Sequence, residues 1–105
     1  MSDHLTLREI QVKVDEWISE NGGYFSPLSI MAQVSEESGE LARILNNLYG
    51  DRVKKLQDPE KEIGKEICDL IFALICLANS NNIDLDKEWK ETISARCERD
   101  KERYK

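Results

Sequence analysis

Histidine is almost missing: His4 is the single one in 105 residues, and it stands ahead of the first helical pattern. Its scarcity removes Ser-His-Asp and Cys-His catalysis, HExxH zinc sites and the Glu-x-x-His ligand pairs of di-iron bundles. Cysteine is sparse and has no pattern. Cys68, Cys76 and Cys97 are odd in number, lie in apolar or helical stretches and form no CxxC, against a disulfide framework or a zinc ribbon. They read as reduced, mostly buried thiols, so the expected location is the cytoplasm. Positive charge is in short supply too, with 15 Lys and Arg against 21 Asp and Glu. That balance excludes a generic binder of nucleic-acid backbones, and an anionic ligand would need metal ions or a local basic patch. Long apolar runs are absent as well. The stretch "ICDLIFALICLA" is too short for a membrane span and carries Asp69, while "MSDHLTLREI" lacks the basic and apolar regions of a signal peptide.

What is present is helical periodicity, with no convincing strand. Thr6-x-x-Glu9 is a capping box, and Leu7, Ile10, Val14, Trp17 and Ile18 share one face of a first helix ending near Glu20. "NGGYFSP" breaks the chain. Ser26 and Pro27 suit the N-cap and first position of a long second helix, with Gly50 a natural residue just past its end. "DRVKKLQDPE" reads as a charged connection closed by a second cap-plus-proline start, Asp58-Pro59, and the third helix runs to about Asn79. Its later half, "LIFALICLA", is apolar all round, the mark of a helix surrounded by others. Asp84 can cap a fourth helix carrying Leu85, Trp89, Ile93 and Cys97. The expected fold is therefore all-α: one domain over residues 1–105, four to five helices, its bundle completed by subunit association because so short a chain buries a modest core alone.

Carboxylates stand where this pattern calls for apolar residues. Glu37 falls among Ile30, Leu41, Ile44 and Leu48, and Glu66 among Ile63, Leu70, Ala73 and Leu77. A charge on such a stripe is costly. Glu40 follows Glu37, and Asp69 follows Glu66, at the i, i+3 spacing that projects side chains together. If the two helices pack antiparallel, four carboxylates meet in one partly buried place, and their repulsion calls for a cation. Mg²⁺, or Mn²⁺ in its stead, suits an all-oxygen shell without imidazole or thiolate. Either pair alone is more often a solvated face or first-turn acid; both together on core-facing stripes are harder to dismiss. Glu36 projects to the polar flank, where an exposed acid and a base orienting a water are equally compatible with its spacing.

Arg96, Arg99 and Arg103 lie near one another on the last helix, a forked set able to grip phosphate oxygens, although basic residues there also complement the helix dipole. Trp17, Tyr24 and Phe25 flank the Gly-Gly loop and could stack on a planar base or simply close the core.

Glu36-Glu37-x-x-Glu40 followed by Glu66-x-x-Asp69 resembles the signature of the MazG nucleotide pyrophosphohydrolases of the all-α NTP pyrophosphatase superfamily. "YFSPLSIMAQVSEESGELAR" and "EICDLIFALICLAN" look like the family's two ligand helices, so the resemblance covers roughly residues 5 to 104. It implies a Mg²⁺-dependent enzyme that splits a nucleoside triphosphate into monophosphate and pyrophosphate. By position, Glu37, Glu40, Glu66 and Asp69 match the metal ligands and Glu36 the remaining acid, and family members form homodimers or tetramers. Three places depart from the family's pattern. Where members often carry a Lys and an Arg four residues apart on the last helix, Arg99 matches the Arg but Ala95 replaces the Lys, leaving Arg96 or Arg103 to substitute. Ser38 and Cys68 also differ, outside the ligand pattern.

The expected function is thus a nucleoside triphosphate pyrophosphohydrolase acting on a small-molecule (d)NTP, with no nucleic-acid or membrane partner. The alternative is a non-catalytic metal- and nucleotide-binding helical dimer.

Overall fold

In the computed structural model, which describes residues 4–50 and 58–103, four helices follow one another: α1 (Leu7–Glu20), α2 (Pro27–Tyr49), α3 (Pro59–Ser80) and α4 (Leu85–Asp100). No strand occurs among the described residues, and no helix there is long and apolar enough to cross a membrane. Most of the expected connection "DRVKKLQDPE" lies outside the described residues.

Each start is set by a side chain that accepts a backbone N–H which the helix leaves unpaired. Thr6 Oγ1 accepts from Glu9 N at 3.1 Å while Glu9 Oε1 accepts from Thr6 N at 3.0 Å, the reciprocal box. Ser26, Asp58 and Asp84 cap α2, α3 and α4, the first two ahead of a proline. The ends use left-handed backbone. After α1, Gly22 and Gly23 have φ of 106° and 83°, and Gly23 N–H returns to the Ile18 carbonyl at 2.8 Å. After α3, Asn82 takes φ 56° and Ile83 N–H reaches the Ala78 carbonyl at 3.0 Å, a second closure of the same type. Gly50, in contrast, ends α2 in extended backbone, and it is the approach of Asn46 that leaves no room for a Cβ there.

α2 packs mainly on α3, α1 on α3, and α4 on α1. Ile30 meets Ile75 and Cys76 near one end of the α2–α3 pair, while Glu37 meets Glu66 and Asp69 further along. The two helices therefore run antiparallel. The core gathers Val14, Ile30, Ile75 and Cys76, with Ile10, Ile18, Tyr24, Leu77 and Leu85 against it. α4 contributes no buried residue.

Two expectations are modified. The apolar half of α3 is covered on one side: Ala73, Ile75, Cys76 and Ala78 are buried, but Ile71 and Leu74 stay 45% and 44% exposed. Of the cysteines, Cys76 is buried while Cys68 and Cys97 are exposed, and all three are free thiols. The accessible surface, 8571 Å² for 12.1 kDa, exceeds the roughly 6,000 Å² that surface scaling gives a compact monomer of this mass.

Candidate functional site

Antiparallel packing places the acid-bearing turn of α2 beside that of α3. One carboxylate oxygen each from Glu37, Glu66 and Asp69 lies within 4.8 Å of the other two, and all three residues are half-buried. Glu37 is held above its ordinary pKa of 4.5, first by hydrogen bonding with the Glu66 carboxyl, then by partial desolvation and the charges of Glu66, Asp69 and Glu36. Glu66 Oε2 is buried and receives no donor among the described residues. A buried carboxylate oxygen without an N–H or O–H partner is an acceptor left open. Hexacoordinate Mg²⁺, with oxygens about 2.1 Å away, needs ligand atoms no more than about 4.2 Å apart. Small side-chain shifts would bring these three oxygens into that range, and the all-oxygen donor set fits a hard cation.

Glu40 stands apart from this trio. Arg43, one turn further on α2, donates to it from Nη2 to Oε2 at 2.6 Å. Spacing alone places Glu40 on the side of Glu37, but a cation at i+3 competes for its carboxylate. Glu36 is exposed on the rim and close enough for its charge to act on Glu37.

Arg96 and Arg99 lie on α4 as expected, but the helix ends at Asp100 and Arg103 stands in the turn beyond it; all three gather on Asp100 rather than on the carboxylate trio. Arg99 grips it with Nε at 2.9 Å and Nη2 at 3.0 Å, Arg103 Nη1 lies at 3.2 Å and Arg96 Nε at 3.8 Å. The hydrogen bonds from Arg99, foremost, and from Arg103 hold Asp100 below the usual carboxylate range.

The aromatic trio divides. Trp17 and Phe25 are 56% and 76% exposed. Tyr24 is half-buried, its hydroxyl donating to Asp15 Oδ1 at 2.8 Å and accepting from Asn79 Nδ2 at 2.9 Å. Burial and the Asp15 carboxylate push this phenol up to about 12.

Tyr24 belongs to a network centred on Gln11, which is fully buried. Gln11 Nε2 donates to Asn79 Oδ1 at 2.9 Å and to the Ile83 carbonyl at 2.7 Å, and its Oε1 accepts from Leu85 N at 2.9 Å. An adjoining cleft of about 430 Å³ has Asp15, Glu16 and Asp84 against the single cation of Arg8. It lies by Asn79, ten residues beyond Asp69 on α3, or about 15 Å along the helix. Neither its charge nor its distance suits a triphosphate held at the trio.

Gln11 and Arg43 are the two residues that motif reasoning passes over. Gln11 stands on the α1 apolar stripe between Leu7, Val14 and Ile18, the same irregularity that marks Glu37. Arg43 is marked by its i+3 spacing from Glu40.

Residues 25–104 match the MazG nucleotide pyrophosphohydrolase domain. YpjD of Bacillus subtilis (strain 168), itself an uncharacterized protein, is 44% identical over 105 residues, with 99% of this chain and 94% of that protein aligned. Among solved structures, that of Bacillus subtilis YpjD, described as a candidate pyrophosphatase, superposes with a TM-score of 0.81 at 44% identity, covering 90% of this chain and 97% of the other. The crystal structure of the Bacillus-conserved MazG protein, described as a nucleotide pyrophosphohydrolase, gives 0.77 at 39% identity, covering 90% and 92%.

Proposed function

The chain belongs to the MazG nucleotide pyrophosphohydrolase family, and from that premise we propose that it hydrolyses a (d)NTP to the (d)NMP and pyrophosphate with Mg²⁺. The observation that carries this is the convergence of Glu37, Glu66 and Asp69 from two helices around the buried, undonated Glu66 Oε2. With Glu40 turned in from α2, these acids would hold the metal. Bound there, Mg²⁺ or Mn²⁺ supplies the charge that orients a triphosphate and acidifies a water. Glu36, exposed on the rim, is the acid we assign to accepting the proton of the attacking water. Trp17 and Phe25 are open enough to stack on a base, whereas Tyr24 is already committed to Asp15 and Asn79.

Arg96, Arg99 and Arg103 keep their assignment to phosphate oxygens. Arg96 and Arg99 sit on α4, which packs against α1, and Arg103 lies in the turn just beyond it, so we assign their delivery to a second copy of the chain. A homodimer, or a tetramer of two such pairs, is supported by the surplus surface and by the exposed apolar side of α3. Three free thiols support a reducing, cytoplasmic setting.

A panel of NTPs and dNTPs with Mg²⁺, scored for monophosphate and pyrophosphate, tests the activity. Glu37→Gln and Asp69→Asn should fold normally yet lose at least about 100-fold in turnover, as when a charge-stabilising group is removed. Full activity in both variants would sink the assignment.

A further inference from the structure

Glu40 and Arg43 form an ion pair on the rim of the acid trio, and both partners are free to leave it. Their side chains are 42% and 67% exposed, and the contact engages a single guanidinium nitrogen at 2.6 Å. Exposed pairs of this kind are weak and readily exchanged. On one helix, residue 40 lies a turn from both Glu37 and Arg43, so its carboxylate can swing toward either by side-chain rotation. Arg43 also feels Glu66 across the α2–α3 interface, which places its charge beside the trio. Arg96, Arg99 and Arg103, in contrast, are gathered on Asp100.

We propose that Glu40 and Arg43 are an exchanging pair: when a divalent cation joins Glu37, Glu66 and Asp69, Glu40 leaves Arg43 for the cation, and the released guanidinium takes a phosphate oxygen of the nucleotide. No bond is made or broken beyond these ionic and hydrogen-bonded contacts. The planar fork of arginine matches phosphate geometry, so the positive charge set free by the exchange is delivered where the triphosphate brings negative charge. The phosphate half rests on the pyrophosphohydrolase reading; the carboxylate half does not.

The two halves are measured separately. Mn²⁺ alone is titrated by calorimetry into the wild type, Arg43→Ala and Glu40→Gln, after circular dichroism has verified equal helicity. Removing Arg43 frees Glu40 beforehand, so Arg43→Ala should bind Mn²⁺ about two- to fivefold more tightly, in line with a larger competent population. Glu40→Gln should bind it more weakly. Unchanged or weaker Mn²⁺ affinity in Arg43→Ala would overturn the exchange.

A non-hydrolysable α,β-imido nucleoside triphosphate with Mg²⁺ tests the phosphate contact. Arg43→Ala should weaken analogue binding and raise KM by at least about tenfold with a smaller change in kcat, and Arg43→Lys should recover part of it, since charge remains but the fork is lost. Analogue affinity within twofold of wild type in Arg43→Ala would overturn this half. If the wild type neither hydrolyses a (d)NTP nor binds the analogue, the phosphate half falls together with the nucleotide reading, while the Mn²⁺ comparison still decides the exchange.

Discussion

Gln11 is fully buried, and both polar atoms of its amide are bonded, to α3, to the turn that follows it and to the first residue of α4. Gln11→Leu keeps the bulk but leaves the Ile83 carbonyl, the Leu85 N–H and the Asn79 oxygen without this partner. At about 1–3 kcal/mol for each buried group left unmatched, a loss of roughly 3 kcal/mol in urea unfolding is expected, and a loss below about 1 kcal/mol would mean that water replaces the amide. Tyr24 makes a pH-dependent contribution. Its folded pKa of about 12 exceeds the ordinary 10.0, so its stabilisation is complete below pH 10 and disappears as pH rises through about 12. The stability of the wild type relative to Tyr24→Phe should stay level from pH 8 to 9 and shrink toward pH 11; a level difference throughout would contradict the shift. Glu37 and Gln11 are legible by one rule, a polar residue on an apolar stripe. That rule does not say what satisfies the group. Gln11 finds neutral partners across the fold, whereas Glu37 finds two further acids.

Helix starts are written locally, and Thr6, Ser26-Pro27, Asp58-Pro59 and Asp84 stand where the composition places them. Ends are less legible, because a left-handed residue need not be glycine. Asn82 closes α3 at φ 56° and thereby aims the Ile83 carbonyl at Gln11. Asn82→Gly should cost little, whereas Asn82→Val should destabilise by about 1–2 kcal/mol, the cost of left-handed backbone for a β-branched residue without the short polar side chain that lets Asn adopt it. Equal melting of the two variants would remove Asn82 from this role. On α2, the spacing of Glu37 and Glu40 is correct as geometry yet does not bring both into the trio, since side-chain direction also depends on Arg43. Likewise, an all-round apolar α3 reports how much cover the helix needs, not whether one chain provides it.

For the molecule as a whole, the radius of gyration of 16.9 Å exceeds the roughly 13 Å typical of a compact domain of this length. Together with the surplus surface of roughly 2,500 Å² per chain over the compact expectation, this supports the proposed second copy on grounds of stability as well as of function. Interfaces of obligate homodimers commonly bury about 2,000–5,000 Å² in total. Light scattering on a sizing column should give a dimer or tetramer mass for the wild type, and melting should rise with protein concentration. Ile71→Glu, which puts a charge on the exposed side of α3, should shift the mass toward monomer and lower the melting temperature. A monomeric wild type with concentration-independent melting would remove association from the account. One further consequence lies in the order in which the chain closes. The helices carrying the acid trio are consecutive, while the Gln11 bonds join residues 68 to 74 apart in sequence. Long loops are entropically slower to close, so the α2–α3 hairpin would bring like charges together before α1 clasps the α3–α4 turn. Folding would then pass through a stage in which the acids already oppose one another, and the cation proposed for the finished site would also speed assembly.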